Sequence, residues 1–306
     1  MPLGLGLASS HAPQMFAPAE AWEDPFRRAL AGKAEPPQAA RETLEVIRGY
    51  VERIESAFQQ LAARLAEYRP EALIMIGDDQ REVFDPSSNM PTIALHLGAE
   101  ASGTLGLEFL GVSASAPVRL RGHPVLAEFL AQRLMDRGFD VTCVRELKPV
   151  GRPERGLGHA FTRAPTKLMP DLEIPVVIVF LNAYYPPLPS ARRCYELGLA
   201  IRELMDERTE RIAIYGSGGL SHDPSGPRAG WIDEPLDRFV LDAIADGKPE
   251  RLLGLYTVDS DTMRGGTGEI RSWIAVAGAF ADRPATVVDY IPAYHAVTGL
   301  GFAYWQ

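Results

Sequence analysis

The side chains best suited to chemistry in this sequence are histidines and carboxylates in loops. Three of the six histidines lie in loops that are rich in glycine or proline or follow apolar segments: His11, His159 and His222. The polar residues at 78–80 also follow an apolar segment, and Glu269 follows a glycine-rich run. Imidazole and carboxylate groups together suit iron, manganese or zinc. If these loops meet at one edge of a sheet, they predict a divalent metal site.

Each of these residues also has a simpler interpretation. A loop histidine often only makes structural hydrogen bonds, and Asp78 and Asp79 are suited to capping a turn. Glu269 precedes an apolar helical segment, where a carboxylate favours the positive helix N-terminus. The sequence contains no Walker A, GxSxG or HExxH motif, so the P-loop, α/β-hydrolase and zincin classes lack their signatures.

The elements that must position these side chains alternate between strand and helix. Short apolar segments predict strands at 3–8, 72–76, 91–97, 141–144, 175–181 and 212–215. Helical periodicity or flanking signals predict helices at 25–31, 40–68, 125–137, 190–205, 236–244, 249–256 and 269–281. The aromatic and glycine-rich tail, 287–306, is expected to pack. This order favours one α/β domain with a mixed or largely parallel central sheet and helices on both faces.

Composition narrows the classes of partner. The net charge of −9 over 306 residues argues against nucleic-acid binding, which needs clustered positive charge. No apolar run approaches the ~20 residues needed to span a bilayer, and the first ten residues lack a basic signal-peptide start. We therefore expect a cytoplasmic protein that binds a small molecule. The two cysteines show no CxxC spacing, which disfavours a thiolate metal site.

The order of six motifs is more specific than any single residue. They are SSHAP (9–13), GDDQ (77–80), GHAFT (158–162), NAYYPPLPSARRCYELG (182–198), GSGGLSHDPSGPRAGWI (216–232) and GEIRSWIAVAGA (268–279). Over nearly the whole chain this series resembles the class III extradiol ring-cleavage dioxygenases, specifically the catalytic subunit of the protocatechuate 4,5-dioxygenase type. The resemblance implies one α/β catalytic domain over 1–306, a non-haem Fe(II) ion, a catechol-like substrate, O2 and a homodimer.

The resemblance also implies roles for individual residues. His11 and Glu269 match two of the iron ligands of the family, which uses two histidines and one glutamate. His222 matches the histidine that acts as acid and base, and it is not itself a ligand. His159 matches a histidine near the site, and His123 is assigned to the same catalytic group.

The sequence departs from the family at the second histidine ligand. The family has Asn-Asp-His at this point, whereas this chain has Gln80 in place of the histidine. Three outcomes remain open. Gln80 could ligate through its carbonyl oxygen, helped by Asp79; His96 or His159 could take its place; or the site could hold manganese, zinc or no ion at all.

Substrate contacts are expected from the segment after the strand at 175–181 and from arginines. Tyr184 and Tyr185, with Phe161 and Trp231, could supply apolar walls around a ring. A carboxylate on the substrate could pair with Arg163, Arg193 or Arg228 as a bidentate fork. The segment 16–40 is a candidate lid or interface arm. Two other functions stay open: a hydrolase or lyase, with or without a metal, that uses His222 as a base, and a non-catalytic subunit.

Overall fold

The fold is built around one mixed sheet of eight strands. A computed structural model describes residues 2–112, 117–224 and 226–306. The strands are β1 (Leu3–Ser9), β2 (Ala72–Gly77), β3 (Ile93–His96), β4 (Glu100–Gly103), β5 (Val118–Arg121), β6 (Thr142–Val144), β7 (Val176–Leu181), β8 (Ile212–Ser217), β9 (Thr286–Ala293) and β10 (Thr298–Trp305). The main sheet has the spatial order β6-β3-β7-β2-β8-β1-β10-β9, and β4 pairs with β5 in a separate two-stranded sheet.

The centre of the sheet is parallel. Strands β7, β2, β8 and β1 pair in that order, and each pair is parallel. All residues of β2, β7 and β8 are buried, as expected for parallel strands that are covered on both faces. The carboxyl ends of these four strands therefore meet at one edge of the sheet, which is where open α/β folds place ligands.

Helices cover both faces, as the sequence predicts. They are α1 (Glu23–Leu30), α2 (Leu44–Tyr68), α3 (Pro124–Asp136), α4 (His159–Thr162), α5 (Pro165–Leu168), α6 (Ala191–Met205), α7 (Glu234–Ala245) and α8 (Ile270–Ala279). Apolar residues of α3, α6, α7 and α8 share one buried cluster, and those of α2, α4 and α5 share another. Within the described ranges, no helix combines the length and the apolar character needed to cross a bilayer.

The C-terminal part of the sheet differs from the sequence expectation. Residues 287–306 were expected only to pack, but β9 and β10 form an antiparallel hairpin that extends the sheet beside β1. The predicted helix at 249–256 is instead a 3-10 turn, Pro249–Gly254. Pairing of β10 with β1 joins residues almost 300 positions apart, so local periodicity could not reveal it.

A partly buried ion-pair cluster joins α1, within the 16–40 segment, to this hairpin. His295 lies between two carboxylates: its Nδ1 is 2.7 Å from Glu42 Oε2, and its Nε2 is 3.0 Å from Glu23 Oε2 on α1. Because both ring nitrogens face carboxylates, both donate, and the ring is an imidazolium. Burial alone would lower the pKa of His295, but the hydrogen bond and charge of Glu42, with those of Glu23, raise it above its usual value.

We expect this cluster to make stability depend on pH. The raised pKa means that the stabilising contribution is complete below the ordinary histidine value of about 6.5 and is lost as pH rises through the folded-state pKa. Glu42→Gln should lower the free energy of unfolding by roughly 1–3 kcal/mol at pH 6. The difference in melting temperature between the wild type and this variant, measured by calorimetry, should shrink at alkaline pH. A difference that stays constant with pH would contradict this role for His295.

Candidate metal centre and active-site cavity

A cavity of about 270 Å³ opens at the carboxyl edge of the parallel strands. His11 follows β1, Gln80 follows β2, and His222 follows β8, so the fold brings three distant loops to one place. His159 and Glu269, at the starts of α4 and α8, complete the polar part of the wall. Pro25 and Ala29 of α1, with Phe109, line another side. The structure therefore brings His11, His159, His222, Gln80 and Glu269 together at one cavity.

His11 is held so that one ring nitrogen is free to bind a cation. Its side chain is buried, and its Nδ1 is 3.0 Å from Ser217 Oγ. Because the Ser217 hydroxyl donates to the carbonyl oxygen of Ala160 at 2.6 Å, its oxygen accepts from His11 Nδ1–H. The lone pair is therefore on Nε2, which lies 3.5 Å from Glu269 Oε2. Burial lowers the pKa of His11 to about 3, so the ring is neutral, as a ligand must be.

Glu269 is the centre of the polar cluster. Its Oε2 accepts from the backbone N–H of Gly219 at 2.7 Å. Its Oε1 accepts from the Tyr184 hydroxyl at 2.7 Å and from Gln80 Nε2 at 2.8 Å. These three donors orient a carboxylate that is only 2% exposed. The carboxylate plane is thus fixed before any ligand arrives.

The backbone of the β8 loop makes room for this carboxylate. Gly218 has a φ of 123°, and a Cβ there would lie 2.6 Å from Glu269 Oε2, so only glycine fits. Burial would raise the pKa of Glu269, but the neighbouring His222 and His11 outweigh it and lower the pKa below its usual range. Glu269 is therefore an anion under ordinary conditions.

His222 presents its Nε2 to the same cluster. Its Nδ1–H donates to the carbonyl oxygen of Leu220 at 2.9 Å, which leaves Nε2 facing the site. That nitrogen lies 3.4 Å from both Glu269 Oε1 and the Tyr184 hydroxyl. Burial would lower the pKa of His222, but the charge and hydrogen bond of Glu269 raise it above its usual value. Gly266 must lack a side chain, because a Cβ there would lie 1.9 Å from His222 Nε2.

His159 belongs to the cavity and has a partner that sequence reasoning missed. Its Nδ1 lies 2.5 Å from Oε1 of Glu82, and its ring meets the His11 ring edge-on at 4.8 Å between centroids. Burial would raise the pKa of Glu82, but His159 outweighs it and lowers the pKa to about 2. Glu82 therefore fixes the orientation of His159. The only sequence signal was one more acidic residue two positions after Gln80.

Asp78 has the most unusual environment of the cluster. It is 3% exposed, and neither carboxylate oxygen has a hydrogen-bond partner among the described residues. One ligand atom each of His11, Asp78 and Glu269 lies within 4.8 Å of the others. Burial raises the pKa of Asp78 well above its usual value, and the charge of Glu269 adds to this. An unpaired buried carboxylate beside an imidazole and a second carboxylate fits a divalent cation.

Two other histidines considered from the sequence lie elsewhere. The backbone N–H of His123 donates to the carbonyl oxygen of Val176, at the amino end of β7, and its Nδ1 caps α3 by accepting from Leu126 N. His123 is thus at the opposite edge of the sheet, and its position does not support a catalytic role. His96 Nε2 donates to the Glu100 carbonyl oxygen at 3.0 Å, away from the cavity.

The arginines named from the sequence are also placed differently. Arg163 lines the cavity, but its guanidinium is buried and donates to the carbonyl oxygens of Leu105, His11 and Gly106. Arg193 lies on α6 with its guanidinium 3.8 Å from the Phe139 ring centroid, outside the cavity. Arg228 is exposed and lines a small separate pocket behind His222 together with Trp231.

The aromatic residues divide in the same way. The Tyr184 hydroxyl reaches Glu269 and Gln80, whereas Tyr185 is a half-buried neighbour that does not line the cavity. Phe161 packs in the core against Phe180, with ring centroids 4.9 Å apart. Of the expected walls, only Tyr184 therefore reaches the polar cluster.

Two arginines that the sequence did not single out line the cavity. They are Arg152 and Arg155, in the loop before α4. Among the described residues, neither guanidinium forms a hydrogen bond or an ion pair. Nothing in the sequence pattern of this loop indicates which arginine faces the cavity.

The arrangement agrees with the comparison to known proteins. Residues 35–303 match the family described as the catalytic LigB subunit of aromatic ring-opening dioxygenase. The chain belongs to this family. The LigB match covers the loops of Gln80, His159, His222 and Glu269, while the SSHAP loop lies before it. The resemblance drawn from the motifs is thereby confirmed.

Curated relatives of this chain are named as dioxygenases of aromatic compounds. The chain is 33% identical over 166 residues to a gallate dioxygenase of Pseudomonas putida, which covers 52% of this chain and 46% of that protein. It is 25% identical over 240 residues to a 2,3-dihydroxyphenylpropionate/2,3-dihydroxicinnamic acid 1,2-dioxygenase of Photorhabdus laumondii. This alignment covers 77% of this chain and 67% of that protein. The chain thus spans about half the length of the gallate dioxygenase.

A solved structure shares the fold of this LigB chain. The crystal structure of the uncharacterized protein JW3007 from Escherichia coli K12 superposes with a TM-score of 0.57 and 17% sequence identity. The match covers 83% of this chain and 92% of that one. At this identity the likeness concerns the fold alone, and it extends over most of both chains.

Proposed function

We propose that this protein is an extradiol ring-cleavage dioxygenase that uses a non-haem Fe(II) ion to open a catechol-like ring. The observation that carries the proposal is the cluster of His11, Asp78 and Glu269, in which His11 and Glu269 line the same cavity as His222 and His159. In this reaction both atoms of O2 enter the product as one ring C–C bond breaks. The ring supplies all four electrons, so the proposal requires no other reductant.

The metal would be held by His11, Glu269 and a third group from the loop after β2. A bound Fe(II) ion would supply the Lewis acidity and the redox chemistry that allow a ring carbon to react with O2. His11 contributes Nε2, because its Nδ1–H is directed to Ser217. Glu269 contributes a carboxylate that three donors already orient.

His222 would take a proton from a ring hydroxyl and return it later. Its Nε2 points into the cavity because Nδ1–H is held by the Leu220 carbonyl oxygen. The Tyr184 hydroxyl and Glu269, both 3.4 Å from this nitrogen, can share the proton that it accepts. His159, oriented by Glu82, places a second imidazole beside His11. Pro25, Ala29 and Phe109 supply the apolar wall that limits access of water.

Turnover on defined rings tests the proposal. The full chain would be reconstituted anaerobically with Fe(II) and mixed with gallate, 2,3-dihydroxyphenylpropionate or unsubstituted catechol. We expect one O2 to be consumed per ring opened. An oxygen electrode measures the O2 uptake, and absorbance measures the ring-opened product. Iron-loaded, folded protein that consumes no O2 with any of these rings would contradict the proposal. It would favour the hydrolase or non-catalytic alternatives.

The preferred substrate is proposed to carry a carboxylate. Arg152 and Arg155 bring two positive charges to the cavity wall without an ion pair among the described residues. Gallate and dihydroxyphenylpropionate, named for the relatives, both carry a carboxylate. A guanidinium fork matches that group in geometry and charge. The cavity thus favours a carboxylated dihydroxy ring over a neutral one.

Replacing one of these arginines should change specificity. We expect Arg155→Met to raise KM for gallate by about 10- to 100-fold, the value of one charged hydrogen-bonded contact, with a small change in kcat. KM for unsubstituted catechol should be nearly unchanged, since it has no carboxylate. Arg193→Met is the matched control, because Arg193 lies on α6 outside the cavity. Equal changes for both rings would argue against carboxylate recognition by Arg155.

Three further properties belong to the same proposal. The protein is proposed to act in the cytoplasm as a homodimer, as the motif resemblance and composition imply. The segment 16–40 is proposed as a cover for the cavity, because Pro25 and Ala29 of α1 line its wall. Manganese or zinc are the alternatives to iron, and metal analysis of the purified protein distinguishes them.

A further inference from the structure

The loop after β2 offers two candidates for the third metal ligand, and their environments differ. This question rests on the proposed function, since it concerns the ion that the proposed reaction needs. Asp78 is 3% exposed, whereas Gln80 is half-buried. The carboxylate oxygens of Asp78 have no hydrogen-bond partner among the described residues. A buried carboxylate without donors is costly unless a cation balances it.

The position of Asp78 suits coordination. One ligand atom each of His11, Asp78 and Glu269 lies within 4.8 Å of the others. Two ligands of one ion, each at roughly 2.0–2.3 Å from it, lie at most about 4.6 Å apart. The separations of the three atoms, all within 4.8 Å, are close to this limit, so side-chain adjustment would bring all three atoms onto one ion.

Gln80 makes a different contact. Its Nε2 lies 2.8 Å from Glu269 Oε1 and 3.1 Å from the Tyr184 hydroxyl. The carboxylate can only accept, and the Tyr184 hydroxyl already donates its proton to Glu269. Both neighbours therefore need a donor, which assigns the NH2 of the amide to this side. An amide N–H does not bind a cation, and here it orients the oxygen of Glu269.

We propose that Asp78, and not Gln80, is the third protein ligand, so that the ion is held by one imidazole and two carboxylates. Gln80 is then a positioning residue that acts through Glu269. This set carries two negative charges, whereas a site of two histidines and one glutamate carries one. Carboxylate ligands suit Mn²⁺ well, which makes Mn²⁺ a suitable probe of the site.

Titration of Mn²⁺ into the chelator-treated protein, with the heat of binding measured by calorimetry, tests the assignment. We expect one site in the wild type. Asp78→Asn, which keeps the shape and removes the charge, should weaken Mn²⁺ binding by about 100-fold or more, because a neutral amide replaces a charged ligand. Gln80→Met removes only an orienting contact and should weaken binding by about tenfold, the low end for such contacts. Melting temperatures of the metal-free proteins check folding, and Asp78→Asn should be at least as stable as the wild type.

Asp79→Asn separates ligation from loss of nearby charge. Asp79 accepts from the backbone N–H groups of Val83 and Phe84, so it is occupied by the loop. We expect the affinity of Asp79→Asn for Mn²⁺ to stay within about tenfold of that of the wild type. The assignment is overturned if Asp78→Asn binds like the wild type, if Gln80→Met loses binding as severely, or if Asp79→Asn matches Asp78→Asn. A wild type that binds neither Mn²⁺ nor Fe(II) would overturn the metal-dependent function as well.

Discussion

His222→Asn should lower kcat by about 10²- to 10⁴-fold, the usual contribution of a general acid or base, while the protein keeps its metal. Asparagine can still donate to the Leu220 carbonyl oxygen, which His222 Nδ1 now contacts. It has no group that can take a ring proton in place of Nε2. Steady-state O2 uptake and metal analysis of the same sample measure the two effects separately.

The matched control for this prediction is the same substitution at the opposite edge of the sheet. His123 caps α3 through Nδ1, and asparagine is itself a good N-cap residue. We expect His123→Asn to keep wild-type turnover and nearly wild-type stability. If His222→Asn retains full activity, the proton-transfer role is wrong. If His123→Asn also loses activity, turnover depends on the fold at both edges.

Glu269→Gln should weaken metal binding severely and lower turnover with it. The substitution removes a ligand charge and turns one oxygen into an NH2 group. That NH2 group must then face either the N–H of Gly219 or the donors of Tyr184 and Gln80. In the wild type, each of these donors contacts an oxygen of Glu269. We expect the affinity for Fe(II) or Mn²⁺ to fall by about 100-fold or more. Because the new NH2 group faces another donor, the substitution should also lower the free energy of unfolding of the metal-free protein by roughly 1–3 kcal/mol.

Asp237→Asn is a suitable comparison for Glu269→Gln. Asp237 is also a buried carboxylate that accepts three hydrogen bonds, from Ser221 N, Ser221 Oγ and the Tyr290 hydroxyl. It lies on α7 outside the metal cluster, so its loss should reduce stability without reducing metal stoichiometry. Calorimetric titration and thermal unfolding of both variants separate the two effects. Stoichiometric iron in Glu269→Gln would rule out Glu269 as a ligand.

The sequence was informative about the parallel half of the fold. The apolar segments that became β1, β2, β7 and β8 are short and, apart from Gly4 of β1, buried, so their composition alone indicates strands. Polar residues at their carboxyl ends then had to meet at one edge, because parallel strands end together. This reasoning placed His11, His222 and Gln80 in one cavity.

The hairpin of β9 and β10 was beyond this reasoning. Its strands are antiparallel and join β1 at the far end of the chain, so no local pattern specifies their position. The hairpin matters for the site, since Ala296, Val297 and Thr298 line the cavity. The ion pairs of His295 with Glu23 and Glu42 depend on the same long-range pairing.

Residue types and motif order in the sequence determined the α/β class and the family, and they predicted His11, His222 and Glu269 as one set, because strand ends and glycine loops are local features. Only the tertiary structure decided which side chains of irregular loops face inward. Loops lack the alternation that assigns sides in a strand or a helix. It therefore took the folded chain to distinguish Asp78 from Gln80 and to bring Arg152 and Arg155, rather than Arg193 and Arg228, to the cavity.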